Sequence, residues 1–254
     1  MKLLRDTWLV FQRQMLIMFR TPIWIVVGIL QPICYLLLFA PLLKSALAAS
    51  GAHSYADAYR IYVPGLLSAL ALMGGLFTGF SLLGELRAGI VERSRVTPVS
   101  RIALLLGRAL REVVALLIQA VLVTLLALPF GLTVSPQYLL LAFLLLGLIA
   151  LMSSSVSFGL ALLVANDAAL GPVVNTIAQP LALLSGTLLP IALAPQWLRS
   201  AADWNPCYWA VEGMRSLFAG DASAPAVWRA LLLMAALTAV AVAWSARLFT
   251  QRIR

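Results

Sequence analysis

Residues 113–166 read VVALLIQAVLVTLLALPFGLTVSPQYLLLAFLLLGLIALMSSSVSFGLALLVAN, a run of 54 residues without an acidic or basic side chain. About 20 apolar residues suffice for a helix to cross the ~30 Å hydrocarbon core of a bilayer, so this run is too long for one span. Prolines at 129 and 136 and a glycine between them indicate a turn inside the run. The stretch therefore predicts two membrane-spanning helices joined by a short connection.

The composition of the whole chain agrees with a membrane protein. Of its 254 residues, 63% are hydrophobic and 11% are charged, and the mean hydropathy is +1.00. An average soluble domain is about half apolar and about a quarter charged, and disordered chains are poor in apolar residues, so both classes are excluded. One histidine and two cysteines leave no disulfide framework and too few ligands for a zinc site.

Charge-free runs recur along the rest of the chain. They cover 23 residues between Arg20 and Lys44, 24 between Arg60 and Glu85, 31 at 168–198, and 17 between Arg229 and Arg247. Together with the long run they predict six spans, at 22–43, 61–84, 109–129, 138–164, 169–189 and 227–248. An even number of spans places both termini on the same side of the membrane.

The distribution of basic residues predicts the orientation, because short cytoplasmic loops are rich in lysine and arginine. With the N-terminus inside, 13 of the 18 basic residues lie on the cytoplasmic side, whereas the opposite orientation places only 5 there. We therefore expect both termini in the cytoplasm of a bacterial cell, with the chain in its cytoplasmic membrane. The net charge of +9 is explained by topology, and a nucleic-acid partner is not expected.

Residues 2–20 are predicted to form an amphipathic helix. At 100° per residue, Lys2, Asp6, Arg13 and Arg20 fall on one side, and Leu4, Trp8, Phe11, Met15 and Met18 fall on the other. Such a helix lies in the headgroup plane, with its arginines toward anionic lipid. It serves either as a simple anchor or as a lever that contacts a cytoplasmic partner, and the sequence leaves both interpretations open.

The loop between the second and third spans, residues 84–101, reads GELRAGIVERSRVTPVSR. Its spacing predicts a short helix at 87–96, and Pro98 disfavours continuation of that helix past Thr97. Ser100 is in position to cap the next helix. The loop is longer than a reversal of direction requires, which is typical of a docking element, although a solvated basic loop is the alternative.

The segment after the fifth span, residues 184–220, reads LSGTLLPIALAPQWLRSAADWNPCYWAVEGMRSLFAG. Three prolines forbid one continuous helix, and its tryptophans and tyrosine suit a membrane interface. We predict a re-entrant pair of short helices at 190–220, in which Asn205 caps the second helix and Glu212 pairs with Arg215. Cys207 is expected at the wet edge of this hairpin.

These two segments resemble the membrane subunits of type-2 ATP-binding-cassette exporters, which include the daunorubicin-resistance and nodulation-factor permeases. The first family motif is matched by Glu85, Gly89, Glu92 and the TPVSR of residues 97–101. The second is matched by Ser185, Gly186, Pro190, Pro195, Asn205, Pro206 and Arg215. The resemblance covers the whole chain in span number, loop order and length.

The resemblance implies an all-α integral membrane fold of one domain. It has six transmembrane helices, an interfacial helix at 2–20, a cytoplasmic coupling helix at 87–96, and an extracytoplasmic re-entrant hairpin at 190–220. Coupling to the ATPase is assigned to Glu85, Gly89, Glu92, Arg93 and Pro98. The outer gate is assigned to Ser185, Gly186, Pro190, Asn205, Pro206 and Arg215. Family members act as dimers with two ATPase subunits, and a homodimer and a heterodimer both remain open.

The chain has no phosphate-binding loop of its own. Such a loop needs the pattern G-x-x-x-x-G-K-[ST], and neither of the two lysines, Lys2 and Lys44, follows the required glycines. We therefore expect no enzyme activity, no catalytic residue, and no cofactor or metal bound by this chain. ATP and Mg²⁺ are expected on the partner ATPase subunit.

Neutral polar residues inside the spans are candidates for a substrate path. They are Gln31, Gln119, Thr124, Asn175 and Gln179. The serines at 153–157 fit a path or helix packing about equally well. An ion-coupled secondary transporter is an alternative, although Glu112 and Asp167 lie near the cytoplasmic ends of their spans, and a non-transporting scaffold is another. The sequence does not distinguish among a drug, a lipid, a glycolipid and a glycan as the cargo.

Overall fold

The computed structural model describes residues 2–20, 26, 28–38, 54–89, 100–187 and 191–252. Within these ranges every regular element is helical. We number the α-helices in chain order as α1 (Lys2–Arg20), α2 (Gly28–Leu38), α3 (Tyr55–Phe77), α4 (Gly79–Arg87), α5 (Arg101–Ala127), α6 (Pro136–Val164), α7 (Asp167–Leu184), α8 (Gln196–Ala202), α9 (Pro206–Phe218) and α10 (Pro225–Arg252). Short 3₁₀ turns lie at Leu128–Phe130 and Ile191–Leu193.

Four segments are long and apolar enough to cross a membrane: Tyr55–Arg87, Ile102–Phe130, Pro136–Val164 and Pro225–Gln251. They overlap the predicted second, third, fourth and sixth spans, and they make the chain a multi-pass membrane protein. Of the predicted first span, only residues 26 and 28–38 are among the described residues. Helix α7 covers most of the predicted fifth span but is not among the four, since two prolines and the polar residues Asn175 and Gln179 lower its hydropathy.

Helix α6 lies at the centre of the bundle, between α3 and α10. The Ser153 hydroxyl donates a hydrogen bond of 3.0 Å to the carbonyl oxygen of Ala71 on α3. Thr238 on α10 donates one of 3.1 Å to the carbonyl oxygen of Leu148 on α6. Apolar helix surfaces pack against lipid about as well as against each other. Hydrogen bonds between helices therefore help to hold these spans together.

Two glycines allow α3 and α4 to approach α6 closely. A Cβ atom added at Gly75 would lie 1.9 Å from Oγ of Ser153, and one added at Gly79 would lie 2.6 Å from Oγ of Ser157. This spacing of small residues is a common device of transmembrane helix packing. The serines are therefore buried in the α3–α6 contact, which favours the packing interpretation over a substrate path.

The helix breaks between α3 and α4 at Thr78. The Thr78 hydroxyl donates to the carbonyl oxygen of Gly75 at 2.6 Å, and the Gly79 amide donates to Oγ of Ser157 at 2.8 Å. Ser157 in turn donates to the carbonyl oxygen of Leu76. Hydroxyl groups thus satisfy the backbone groups that the break would leave without partners inside a membrane.

Helix α1 lies against the beginning of α5, and we call this end of the bundle the α1 end. A Cβ atom added at Gly107 would lie 2.7 Å from Val10. Asp6 is buried and accepts a hydrogen bond of 3.2 Å from the amide of Ser100. Ser100 is the N-cap residue of α5, as predicted, but its side chain makes no capping hydrogen bond. A carboxylate from another helix supplies the negative charge that a helix N-terminus favours.

Helix α1 is amphipathic, as predicted, and part of its apolar stripe is exposed. Leu4 and Trp8 are exposed, whereas Asp6 and Thr7 are buried against the bundle. The contact with α5 therefore uses part of the polar stripe, which leaves this part of the apolar stripe available to a bilayer surface.

Candidate functional site

A cavity of about 750 Å³ opens between α2, α3, α7 and the segment that follows α7. Three carboxamide side chains line it: Gln31 from α2, and Asn175 and Gln179 from α7. Two tyrosines, Tyr35 and Tyr62, add phenol groups to the same walls. The remainder of the described lining is mainly apolar and includes Leu66, Leu70, Met73 and Phe77.

The spacing of α7 explains why its two carboxamides reach the same cavity. Asn175 and Gln179 are four residues apart, so they lie on one face of the helix, one turn from each other. Both side chains are exposed in the single chain, as is that of Gln31. A carboxamide among apolar side chains is costly unless it meets water, a ligand or another polar group. These three residues therefore form a polar surface on a mainly apolar cavity wall.

The other two residues of the predicted path do not line this cavity. Gln119 on α5 donates a hydrogen bond of 2.9 Å to the carbonyl oxygen of Gly28 and so joins α2 to α5. Thr124 is buried and donates to the carbonyl oxygen of Ala120 on its own helix at 2.7 Å. The structure thus brings together three of the five path residues and uses the other two in helix contacts.

The end of the cavity away from α1 is lined by residues after α7, and we call it the hairpin end. Gly186, Thr187 and Ile191 form part of this wall. Gly186 has a φ of +71°, a left-handed conformation that glycine adopts readily where a helix ends. The Ser185 hydroxyl donates to the carbonyl oxygen of Ala182 at 2.6 Å. Pro190, the remaining predicted gate residue of this segment, lies outside the described residues.

Asn205 joins the second hairpin helix to the end of α7. Its Oδ1 atom accepts a hydrogen bond of 3.0 Å from the Cys207 amide, which confirms it as the N-cap of α9, and Pro206 is the first residue of that helix. Its Nδ2 atom donates one of 2.8 Å to the carbonyl oxygen of Leu181. One side chain thereby satisfies an amide at the start of α9 and a carbonyl in the last turn of α7.

Arg215 makes a second connection between the same helices. Its Nη1 atom donates to Oε1 of Glu212 at 2.8 Å, the predicted pair, and its Nη2 atom donates to the carbonyl oxygen of Gly186. Only 11% of the Arg215 side chain is exposed, so its charge is largely removed from solvent. A guanidinium beside the C-terminal carbonyls of α7 interacts favourably with the dipole of that helix.

The hairpin enters the bundle to about half the depth of α6. Cys207, Ser68 and Ile149 line one small void. Ile149 lies 13 residues after Pro136, where α6 begins at the hairpin end, so the void is about 20 Å along that helix. Cys207 is only 6% exposed. The expectation that Cys207 lies at a wet edge is therefore wrong, because α9 begins deep in the bundle rather than at its surface.

A polar cluster at the α1 end connects three helices through Glu85. Glu85 forms an ion pair with Arg108 of α5 and accepts a hydrogen bond of 2.9 Å from Nε2 of Gln14 on α1. Arg108 is 7% exposed, so this pair is largely buried. The sequence pointed to Glu85 but not to these partners, which lie 23 and 71 residues away along the chain.

The predicted coupling helix at 87–96 falls mostly on residues that the structure does not describe. Of the coupling residues, Glu85 lies in α4 and Gly89 follows that helix with a φ of +65°. Glu92, Arg93 and Pro98 lie outside the described residues. Next to them, Arg87 pairs with Asp167 at the start of α7. Both side chains of that pair are well exposed, so it contributes little stability.

Comparison with known proteins gives a consistent assignment. The sequence profile of the family described as ABC-2 type transporter matches residues 5–219. The ycf38 protein of Cyanophora paradoxa, which is named as a transport permease, is 29% identical over 203 residues, covering 78% of this chain and 69% of that protein. The daunorubicin resistance ABC transporter permease protein DrrB1 of Streptomyces coeruleorubidus is 25% identical over 241 residues, covering 91% and 81%.

The profile match extends from the second turn of α1 to the end of α9, so it includes the Glu85 cluster, the carboxamide-lined cavity and the hairpin beside it. Four apolar segments able to cross a membrane lie within this fold. The chain belongs to the ABC-2 type transporter family, as a multi-pass transport permease.

Proposed function

We propose that this chain is the membrane-spanning subunit of an ATP-driven exporter, in which two permease subunits form the translocation path. Separate ATP-binding-cassette ATPase subunits supply the energy, and this chain hydrolyses no ATP itself. The observation that carries the proposal is the cavity of about 750 Å³, which is lined by three carboxamides and, at one end, by the hairpin segment. The family membership and the printed name of DrrB1 support a transport role.

In this proposal α2 and α7 are the first and fifth of six spans, and the α1 end faces the cytoplasm. Contacts along α3 support the directions of both helices. Leu36 of α2 lies near Tyr59, and Thr187, after α7, lies near Gly65, so the ends of α2 and α7 meet the first half of α3. Both helices therefore run opposite to α3, as alternating spans do. The basic residues of α1, α4 and α5 then lie on the cytoplasmic side.

The second permease subunit covers the exposed face of α7 in the assembled exporter. Leu183 on this face is exposed in the single chain, next to the carboxamides of the cavity. A partner placed there encloses the cavity between two subunits. The cargo then moves between the α1 end and the hairpin end without crossing the apolar face of either subunit.

Coupling begins at residues 87–96, which dock on the ATPase. Movement of this segment acts on α4, whose Glu85 is held by Gln14 and Arg108. The break at Thr78 lets α4 change its angle while α3 stays packed against α6. The hairpin, fixed to α7 by Asn205 and Arg215, acts as the outer gate.

The test is purification of the full chain with its partners, followed by transport. The tagged chain is isolated from its native host in mild detergent, and mass spectrometry identifies any captured ATPase. We expect stoichiometric capture of an ATP-binding-cassette ATPase and ATP-dependent accumulation of an amphiphilic dye in reconstituted vesicles. The matched control is the same complex with the phosphate-binding lysine of the ATPase replaced by alanine.

Two results would contradict the proposal. Dye movement driven by a proton or sodium gradient, without ATP and without a captured ATPase, would identify a secondary transporter. A stable assembly that moves no dye under either energy source would identify a scaffold.

A further inference from the structure

The charge of the cavity wall carries information about the cargo. Among the described residues that line it, none bears an acidic or basic side chain. The polar groups are all neutral: the carboxamides of Gln31, Asn175 and Gln179, the phenols of Tyr35 and Tyr62, and the hydroxyl of Thr187. A bound ion would thus lose its hydration without meeting an opposite charge, which is strongly unfavourable in an apolar site.

Two arginines contact the wall only through backbone carbonyl oxygens. Arg215 donates a hydrogen bond to that of Gly186, and its other terminal nitrogen is paired with Glu212. Arg199 donates one of 2.8 Å to that of Ala194. Neither guanidinium is among the described groups that line the cavity, and an anionic ligand would have to displace the pair with Glu212 before it gained Arg215 as a counter-charge.

The three carboxamides match neutral hydroxyl and carbonyl groups. Each offers one oxygen acceptor and two N–H donors, so each binds a hydroxyl as donor or as acceptor. Asn175 and Gln179 lie one turn apart on α7, and Gln31 approaches from α2. The side chains of Leu66, Leu70, Met73 and Phe77 provide an apolar surface in the same cavity. One ligand thus meets an apolar wall and a neutral polar wall.

We propose that this cavity selects uncharged amphiphiles, with an apolar body and a polar part that carries hydroxyl or carbonyl groups, and disfavours organic anions and cations. The inference rests on the proposed export function, because it names the cargo class of the same cavity.

The test uses three photoreactive probes that share one aryl diazirine and one octyl chain. Their head groups are glucosyl, trimethylammonium and sulfonate. Each is irradiated with the purified full chain in nanodiscs of neutral lipid, and labelled peptides are mapped by mass spectrometry. We expect saturable labelling by the glucosyl probe within residues 62–77 and 175–187, about tenfold above that by either charged probe.

Variants of α7 separate the site from simple partition into lipid. Replacing both Asn175 and Gln179 by leucine should lower saturable glucosyl labelling about tenfold, because two hydrogen-bonding groups are lost. The matched control is Thr176→Val, which removes a hydroxyl from an exposed position of the same helix outside the cavity lining. It should leave labelling unchanged.

The outcomes distinguish this inference from the export function. Equal or stronger labelling of the cavity by a charged probe, or no saturable labelling by any probe, would overturn the neutral selectivity even if an ATPase is captured. Neutral selectivity without any captured ATPase would contradict the export function alone. Because the comparison among probes uses the wild-type chain, it holds even if the leucine variant fails to fold.

Discussion

The side chain of Asn205 bonds to the carbonyl oxygen of Leu181 at 2.8 Å while its own oxygen accepts the Cys207 amide at 3.0 Å. One carboxamide therefore serves the end of α7 and the beginning of α9 at once. Because Asn205 is buried, loss of either bond leaves a backbone group without a partner where water is scarce. The cap needs only a short side chain with an acceptor oxygen, whereas the bond to Leu181 needs the longer carboxamide. A mutation can therefore remove the second bond alone.

Asn205→Ser should keep the cap and lose the connection to α7. Serine is a good N-cap residue but is too short to reach Leu181. Asn205→Ala should lose both bonds and cost about 2 kcal/mol in the free energy of unfolding, compared with about 1 kcal/mol for serine. Thermal unfolding in detergent measures the difference, with the exposed Ser200→Ala as control. If Asn205→Ser abolishes export while the protein still folds, the hairpin acts as a gate. If export and folding are lost in parallel, the role of Asn205 is purely structural.

Arg215→Met should destabilise the hairpin by about 1–3 kcal/mol. The change leaves the Gly186 carbonyl oxygen and the Glu212 carboxylate without their donor. Adding Glu212→Gln to the same variant should restore part of the loss, because it removes the unpaired charge. A double-mutant cycle by thermal unfolding measures this coupling. Strictly additive effects would show that the pair contributes no interaction energy.

Gly75→Ala should destabilise the contact between α3 and α6 by about 1–3 kcal/mol. The new methyl group would lie 1.9 Å from Oγ of Ser153 and 3.0 Å from the amide nitrogen of Ser154, and backbone cannot yield easily. Gly84→Ala is the matched control, since nothing lies within 4 Å of its Cβ position. That control should be neutral or stabilising by up to about 1 kcal/mol. Equal unfolding temperatures for both variants would contradict the close approach.

Reversal of charge at Glu92 and Arg93 together should impair stimulation of the ATPase while membrane insertion stays normal. The motivation is a charged loop longer than a reversal of direction requires, next to the buried Glu85–Arg108 pair. ATP hydrolysis by the purified complex measures the effect. The conservative double change Glu92→Asp and Arg93→Lys is the control and should retain most of the stimulation. Full stimulation in the reversed variant would exclude a docking role for these two side chains.

A membrane-impermeant maleimide should label neither native cysteine in intact cells. Cys207 is buried at about half the depth of α6, and Cys34 lies in α2 within the proposed first span. Ser223→Cys should label readily from outside, because Ser223 is exposed in the loop between α9 and α10 at the hairpin end. The labelled fraction is measured by a mass shift on a gel. Labelling of native Cys207 would contradict the re-entrant depth, and labelling of the Ser223→Cys variant only after lysis would invert the orientation.

The sequence by itself determined the class of fold and much of its local structure. Runs of apolar residues indicated membrane spans because the cost of charge in a bilayer acts on each stretch of chain independently of its neighbours. The cap at Asn205 and the pair of Glu212 with Arg215 were also predictable, since both depend on residues a few positions apart.

The tertiary structure decided which polar residues meet in the cavity and which are consumed in packing. Gln179 and Gln119 are both glutamines within apolar stretches of the sequence. Gln179 lines the cavity, whereas Gln119 donates a hydrogen bond to the carbonyl oxygen of Gly28. Likewise the depth of Cys207 follows from the contact of α9 with α3 and α6. Periodicity shows that a helix has two faces, but lipid and protein are nearly equally apolar, so the sequence pattern could not determine which face meets which neighbour.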